Sequence, residues 1–204
     1  MKRALIVIDV QNEYISGRLP ISYPDVESTL DRIGAAMDAA TARSIPVVVV
    51  QHVAPEDSPL FARGGEFVEL APTVAERSAD LRIEKELPSS FTNTGLADYL
   101  AEHGVDTIVV AGYMTQLCCE STARDAVHRG YGVEFLSDAT GTLALANEQG
   151  SLTAEQVHRG VLIVLHSEFA AVSTTDDWIG SLDSGTPLQG SDLLASTSDP
   201  AAMR

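Results

Sequence analysis

Cysteine is scarce in this chain: its 204 residues hold two, Cys118 and Cys119, and they are neighbours. Two adjacent cysteines do not make a disulfide framework. Nor can both ligate one zinc ion without strain, and no second pair follows. Long apolar runs are missing too. The first, ALIVI, stops at Asp9 with no small-residue cleavage site behind it, so no signal peptide is expected. No run approaches the roughly 18 residues that a membrane helix needs. A reduced, cytoplasmic location is the expectation. Basic residues are also few, 13 Lys and Arg against 29 Asp and Glu, for a net charge of −16. That balance argues against nucleic acid and membrane surfaces as partners. It leaves two uses for the charge: keeping the chain in solution, or attracting a cationic small molecule.

What is present is a rhythm of β-branched runs and helical patterns. ALIVID (4–9), VVVVQ (47–51), LRI (81–83), TIVVA (107–111), GVEFL (132–136) and FAAV (169–172) read as strands. Their unbroken apolar character suits buried parallel strands. Between them, Val26, Leu30, Ile33, Met37 and Ala40 share one helical face, and Leu96 and Leu100 precede a Gly104 stop. A third helix is expected over 116–129, with Cys119, Ala123, Ala126 and Val127 on its apolar face and Gly130 beyond its end. Ala154, Val157 and Val161 mark a fourth. The alternation predicts an α/β fold, a single-domain Rossmann-like three-layer αβα sandwich. Its mostly parallel sheet of about six strands would take the order 3-2-1-4-5-6. The domain is expected over 1–183. The polar, aromatic-free stretch 184–204 is expected to be a flexible tail.

In such sheets ligands bind beyond the carboxyl ends of the strands, where the strand order reverses. With the order above, Asp9 at the end of the first strand comes near the segment after the fourth, which carries the cysteines. A carboxylate desolvated by an apolar strand has a raised pKa and can serve as a base; alternatively it only ties down the next loop. Thr115 is placed to cap the following helix. That puts Cys118 in the first turn, where backbone N–H groups favour a thiolate. Cys119 falls on the apolar stripe and would be a packing residue. Two buried structural cysteines remain the alternative. Lys85, just past a short strand, could stabilise a thiolate or an oxyanion, or be a surface lysine. Phe91 could line a pocket or join the core.

Taken together, LIVIDVQNEY, PVVVVQH, EKELPSSF, AGYMTQLCCESTARDA and VEFLSDATGT resemble the cysteine hydrolases of the isochorismatase-like superfamily. The order is an Asp, a Lys about 75 residues on, and a GxxTxxC about 30 further. The resemblance implies a catalytic triad of Asp9, Lys85 and Cys118. It implies a non-proline cis peptide at Tyr113–Met114, and an oxyanion hole made by the Met114 and Cys118 N–H groups. It also implies a homodimer or higher homo-oligomer. Cys118 sets the chain apart from true isochorismatases, which lack the cysteine. The Asp-x-His metal pattern of nicotinamidases is missing where Gln51 and His52 stand. No metal and no cofactor are therefore expected. Gln11, Tyr14, His52, Phe61, Phe91, Tyr113 and Thr115 are the candidate substrate-binding residues. DVQNEYISGRLPISYP, SPLFARG and VEFLSDATGT look most like the metal-free hydrolases that include streptothricin hydrolase, which opens a lactam in a cationic antibiotic. The expected reaction is cleavage of a C–N bond in a small amide or lactam. The alternatives are a general amide or carbamoyl hydrolase, or a thiol redox or binding protein on the same fold.

Overall fold

Six of the β-branched runs pair side by side in the computed structural model, which describes residues 1–198. The strands are β1 (Arg3–Ile8), β2 (Val47–His52), β3 (Leu81–Lys85), β4 (Thr107–Tyr113) and β5 (Gly132–Gly141). A short antiparallel hairpin follows, β6 (Leu145–Asn147) with β7 (Gly150–Leu152), and then β8 (Ala171–Ser173). The main sheet has the order β3-β2-β1-β4-β5-β8, and all its pairings are parallel. This is the expected order; the sixth strand is β8 because the hairpin intervenes.

Period-two alternation sends the two faces of each central strand into two separate cores. Leu5, Val7, Val47 and Val49 join one core with Leu30, Ile33 and Met37 of α1 (Val26–Ala42), Val74 of α2 (Pro72–Ala75) and Trp178 of α6 (Thr175–Ser184). Ala4, Ile6, Ile8, Val48 and Val50 join the other. There they meet α3 (Leu96–Glu102), α4 (Glu120–His128) and α5 (Ala154–Glu168). Helices thus cover both faces, as the αβα reading requires. α1 starts where the Asp25 side chain accepts from the Ser28 N–H, and α5 starts at a Thr153–Gln156 capping box.

Two expectations change. LRI does not form a strand buried on both sides. β3 lies at the sheet edge and alternates between half-buried and exposed until Lys85, which is buried. The stretch from 184 also keeps to the body as far as it is described. Leu188 packs on the first core, the Ser191 N–H donates to the His166 carbonyl, and α7 (Leu193–Ser198) follows. The rest of the expected tail, 199–204, lies outside the described residues. Among the described residues no helix is long and apolar enough to cross a membrane.

Candidate active site

The sheet reverses between β1 and β4, and three chemical groups meet there. Asp9 follows β1 with φ +53°, a left-handed conformation that a short polar side chain tolerates, and the chain turns off the sheet at this point. Lys85 closes β3, in register with His52 of β2. Its ammonium lies 2.7 Å from Asp9 Oδ2, and both side chains are completely buried. The contact is an ion pair by distance; neither Asp9 oxygen accepts an aligned hydrogen bond from the described residues. The Cys118 thiol interacts with both groups.

Cys118 reaches this place through three consecutive backbone features. Gly112, with φ +116°, sits where β4 passes β1 so closely that a Cβ would lie 2.0 Å from the Ile8 carbonyl oxygen. Only glycine fits there. The register against β5 also shifts between Val110 and Gly112. The Tyr113–Met114 peptide is cis, as the family resemblance implied. Residues Thr115–Cys119 then form a π turn rather than the start of an α-helix. The N–H groups of Leu117 and Cys119, on either side of the nucleophile candidate, both donate to the Met114 carbonyl, at 3.1 and 3.2 Å. Such turns recur at functional sites. The expected helix over 116–129 is therefore a π turn followed by α4. The expected cap is corrected as well: the N-cap position is Met114, and no side chain caps the turn. The Thr115 hydroxyl is bonded instead to His158 Nδ1 at 2.9 Å. Cys119 is fully buried in the second core, a packing residue as expected.

Burial dominates the electrostatics. It raises the Asp9 pKa, and Lys85 and Cys118 counteract only part of that rise. Burial lowers the Lys85 pKa, but Asp9 and Cys118 more than offset it, and the net shift is upward. Burial and the Asp9 charge push the Cys118 thiol well up against the pull of Lys85. Loss of water and the facing carboxylate thus oppose the thiolate that a helix start would favour.

The candidate pocket residues separate into two sets. Tyr14, His52, Phe61 and Tyr113 form a chain of aromatic contacts beside Lys85. The Tyr14 ring lies 5.3 Å from Phe61 and 5.6 Å from Tyr113, and Phe61 lies 5.0 Å from the His52 ring. His52 Nδ1 is 3.4 Å from the Lys85 ammonium. The Tyr113 hydroxyl is already paired with Thr29, at 2.6 Å. The structure does not bring Gln11 to the reacting groups. Its buried amide donates to the His52 and Val68 carbonyls and accepts from the His52 N–H, tying the end of β2 to the segment around Val68. Phe91 stacks on Tyr131 with the Arg129 guanidinium over its ring, and it belongs to the second core. Thr115 has no exposed surface. A depression of about 300 Å³ lined by Val53, Arg63, Leu87, Thr92 and Asn93 reaches Lys85 but not Asp9 or Cys118. Gln51 donates to the Val68 carbonyl. Among the described residues, no three His, Cys, Asp or Glu cluster as metal ligands.

The sequence reading missed His158. It is buried on α5 with both ring nitrogens engaged. Its signal was a histidine on the apolar face marked by Ala154, Val157 and Val161. Gln116 was also missed as a site neighbour; its amide oxygen accepts from the Thr142 hydroxyl at 2.6 Å.

With this geometry in place, the likeness to known proteins extends over most of the chain. The isochorismatase domain model matches residues 3–177. A crystal structure of a protein from Burkholderia xenovorans LB400 superposes with a TM-score of 0.97; it is 54% identical, over 100% of this chain and 98% of that one. Ureidoacrylate amidohydrolase of Methylobacterium radiotolerans is 33% identical over 202 residues, covering 83% of this chain and 75% of its own. Nicotinamidase 3 of Arabidopsis thaliana is 31% identical over 186 residues, 85% of each chain.

Proposed function

The chain belongs to the isochorismatase family, and from that premise we propose that it is a metal-free cysteine amidohydrolase acting on a small amide or N-carbamoyl compound. The observation that carries this reading is the buried meeting of Asp9, Lys85 and Cys118, with the ammonium 2.7 Å from the carboxylate. The relationship to an amidohydrolase and a nicotinamidase supports C–N bond cleavage as the reaction class.

Asp9 takes the proton from Cys118 Sγ as the sulfur forms its bond to the carbonyl carbon. The raised pKa of Asp9 makes it a competent base, and Lys85 lowers the cost of the negative charge passing from carboxylate to sulfur. The oxyanion is received by the Met114 and Cys118 N–H groups, each contributing about 3–4 kcal/mol. Two features support that role. The Met114 N–H donates to no backbone acceptor among the described residues, and the Met114 carbonyl is occupied by Leu117 and Cys119 rather than Cys118. Asp9 then gives its proton to the leaving nitrogen as the C–N bond breaks. Water loses a proton to Asp9 and attacks the thioester. The acid departs, and the proton returns to sulfur.

A lactam would follow the same steps with its amine still attached. The finer reading, ring opening of a cationic streptothricin-type lactam, is favoured by the net charge of −16. Mass spectrometry of wild type and Cys118→Ala with primary amides, carbamoyl compounds and lactams tests both readings. Wild-type conversion of an amide to an acid with release of ammonia or amine is the expected result. Gain of one water with nothing released selects the lactam. Turnover that survives in Cys118→Ala overturns the mechanism.

A further inference from the structure

His158 lies outside the reacting groups yet holds the turn that carries the nucleophile. Its Nε2 is 3.0 Å from the Ser137 carbonyl, which can only accept, so Nε2 bears the proton. Nδ1 then offers a lone pair, and the Thr115 hydroxyl, 2.9 Å away, donates to it. The ring is held further by an edge contact with Tyr23 at 5.5 Å. Burial lowers the His158 pKa to about 4, so the imidazole stays a neutral acceptor at neutral pH. Thr115 is the first residue of the π turn, and Cys118 stands three residues later. Met114 is the N-cap and offers no side-chain cap, so the hydroxyl bond to His158 is the side-chain anchor at the start of the turn.

We propose that His158 is a positioning residue that ties Thr115, the first residue of the π turn, to the Ser137 carbonyl and so keeps the turn in the shape that presents Cys118 and its N–H to the reaction. The proposal rests on the reading of Cys118 as nucleophile. His158 never touches the substrate; it acts through Thr115.

Two side chains separate the bonds His158 makes. Asn places an acceptor oxygen near the Nδ1 position and keeps the Thr115 partner. Gln reaches the Nε2 position and keeps the Ser137 partner only. His158→Gln and Thr115→Val are each expected to lower kcat by up to about 10²-fold, the size of losing one oxyanion donor, with KM within about twofold. His158→Asn and Thr115→Ser should recover to within about threefold of wild type, and the pair His158→Gln with Thr115→Val should lose no more than either alone. A second readout needs no substrate: the rate of Cys118 alkylation by iodoacetamide, assigned by tandem mass spectrometry. It should fall about tenfold in His158→Gln and return in His158→Asn, an order set by the Thr115 bond. If His158→Gln does not fold, the Thr115 variants carry the test. Equal alkylation and kcat in Gln and Asn variants, or fully additive losses, overturn the proposal. Turnover surviving in Cys118→Ala defeats the nucleophile reading instead, and the alkylation order still decides the role of His158.

Discussion

Asp9 is a buried carboxylate with no aligned donor, beside a thiol that burial has pushed up and a lysine whose net shift is upward. Burial opposes charge on all three, and only for Lys85 do its neighbours more than offset it. Together they favour one event, the movement of a proton from sulfur to carboxylate when an electrophile arrives. The pH dependence follows from this. The base works ionised, so a raised Asp9 pKa lifts the acid limb of kcat/KM above the ordinary carboxylate range. Lys85 is the main influence opposing that rise. Lys85→Ala is therefore expected to move the limb further up in pH while lowering kcat/KM by about 10³-fold, since the groups act as a unit. A pH profile of both proteins checks this; a limb that stays put or moves down would show that Asp9 is not the titrating base.

The elements that position these groups depend on single residues. Gly112 is the clearest case, because a methyl group there would meet the Ile8 carbonyl at 2.0 Å. Backbone cannot retreat as a side chain can. Gly112→Ala is expected to cost more than about 4 kcal/mol, read from the urea midpoint. Gly64→Ala is the control: Gly64 is also left-handed, at φ +75°, but a Cβ there would meet nothing within 4 Å. About 1 kcal/mol is expected for it. These contrasts also mark what could be read from sequence. β1, β2 and β4 announce themselves because buried parallel strands need unbroken β-branched runs, and α1 and α4 because their apolar stripes and end signals are local. The π turn did not, since one extra residue per turn leaves no mark on the spacing of apolar positions. Thr115 read as a cap because its residue type invites one; a histidine 43 residues away claims its hydroxyl. Phe91 read as either pocket or core, and a ring and a guanidinium from beyond α4 decide for core. Gln11 spends its amide on His52 and Val68, both distant in sequence. For Thr115, Phe91 and Gln11 the deciding partner was a tertiary contact.

Across the whole molecule the excess of acid is the property that no single element accounts for. Inside the site the charges nearly balance, with Lys85 against Asp9. Beside it, the depression that reaches Lys85 carries Glu84 and Glu86 with Arg63, whose guanidinium is paired to Glu84 at 2.6 Å. A net charge of −16 over so small a body attracts cations from a distance, and salt erases that attraction as the Debye length falls from about 30 Å at 0.01 M to about 8 Å at 0.15 M. If the charge serves substrate capture, KM for a cationic amide should rise about tenfold over that salt range. KM for a neutral amide with the same scissile group should stay level, and kcat should not change for either, because the field acts on encounter and not on the enclosed thiol. Steady-state kinetics at the two salt concentrations separate the uses. A salt-independent KM for the cation would assign the charge to keeping the protein dispersed, and would remove the main physical reason for preferring a cationic lactam over a neutral amide.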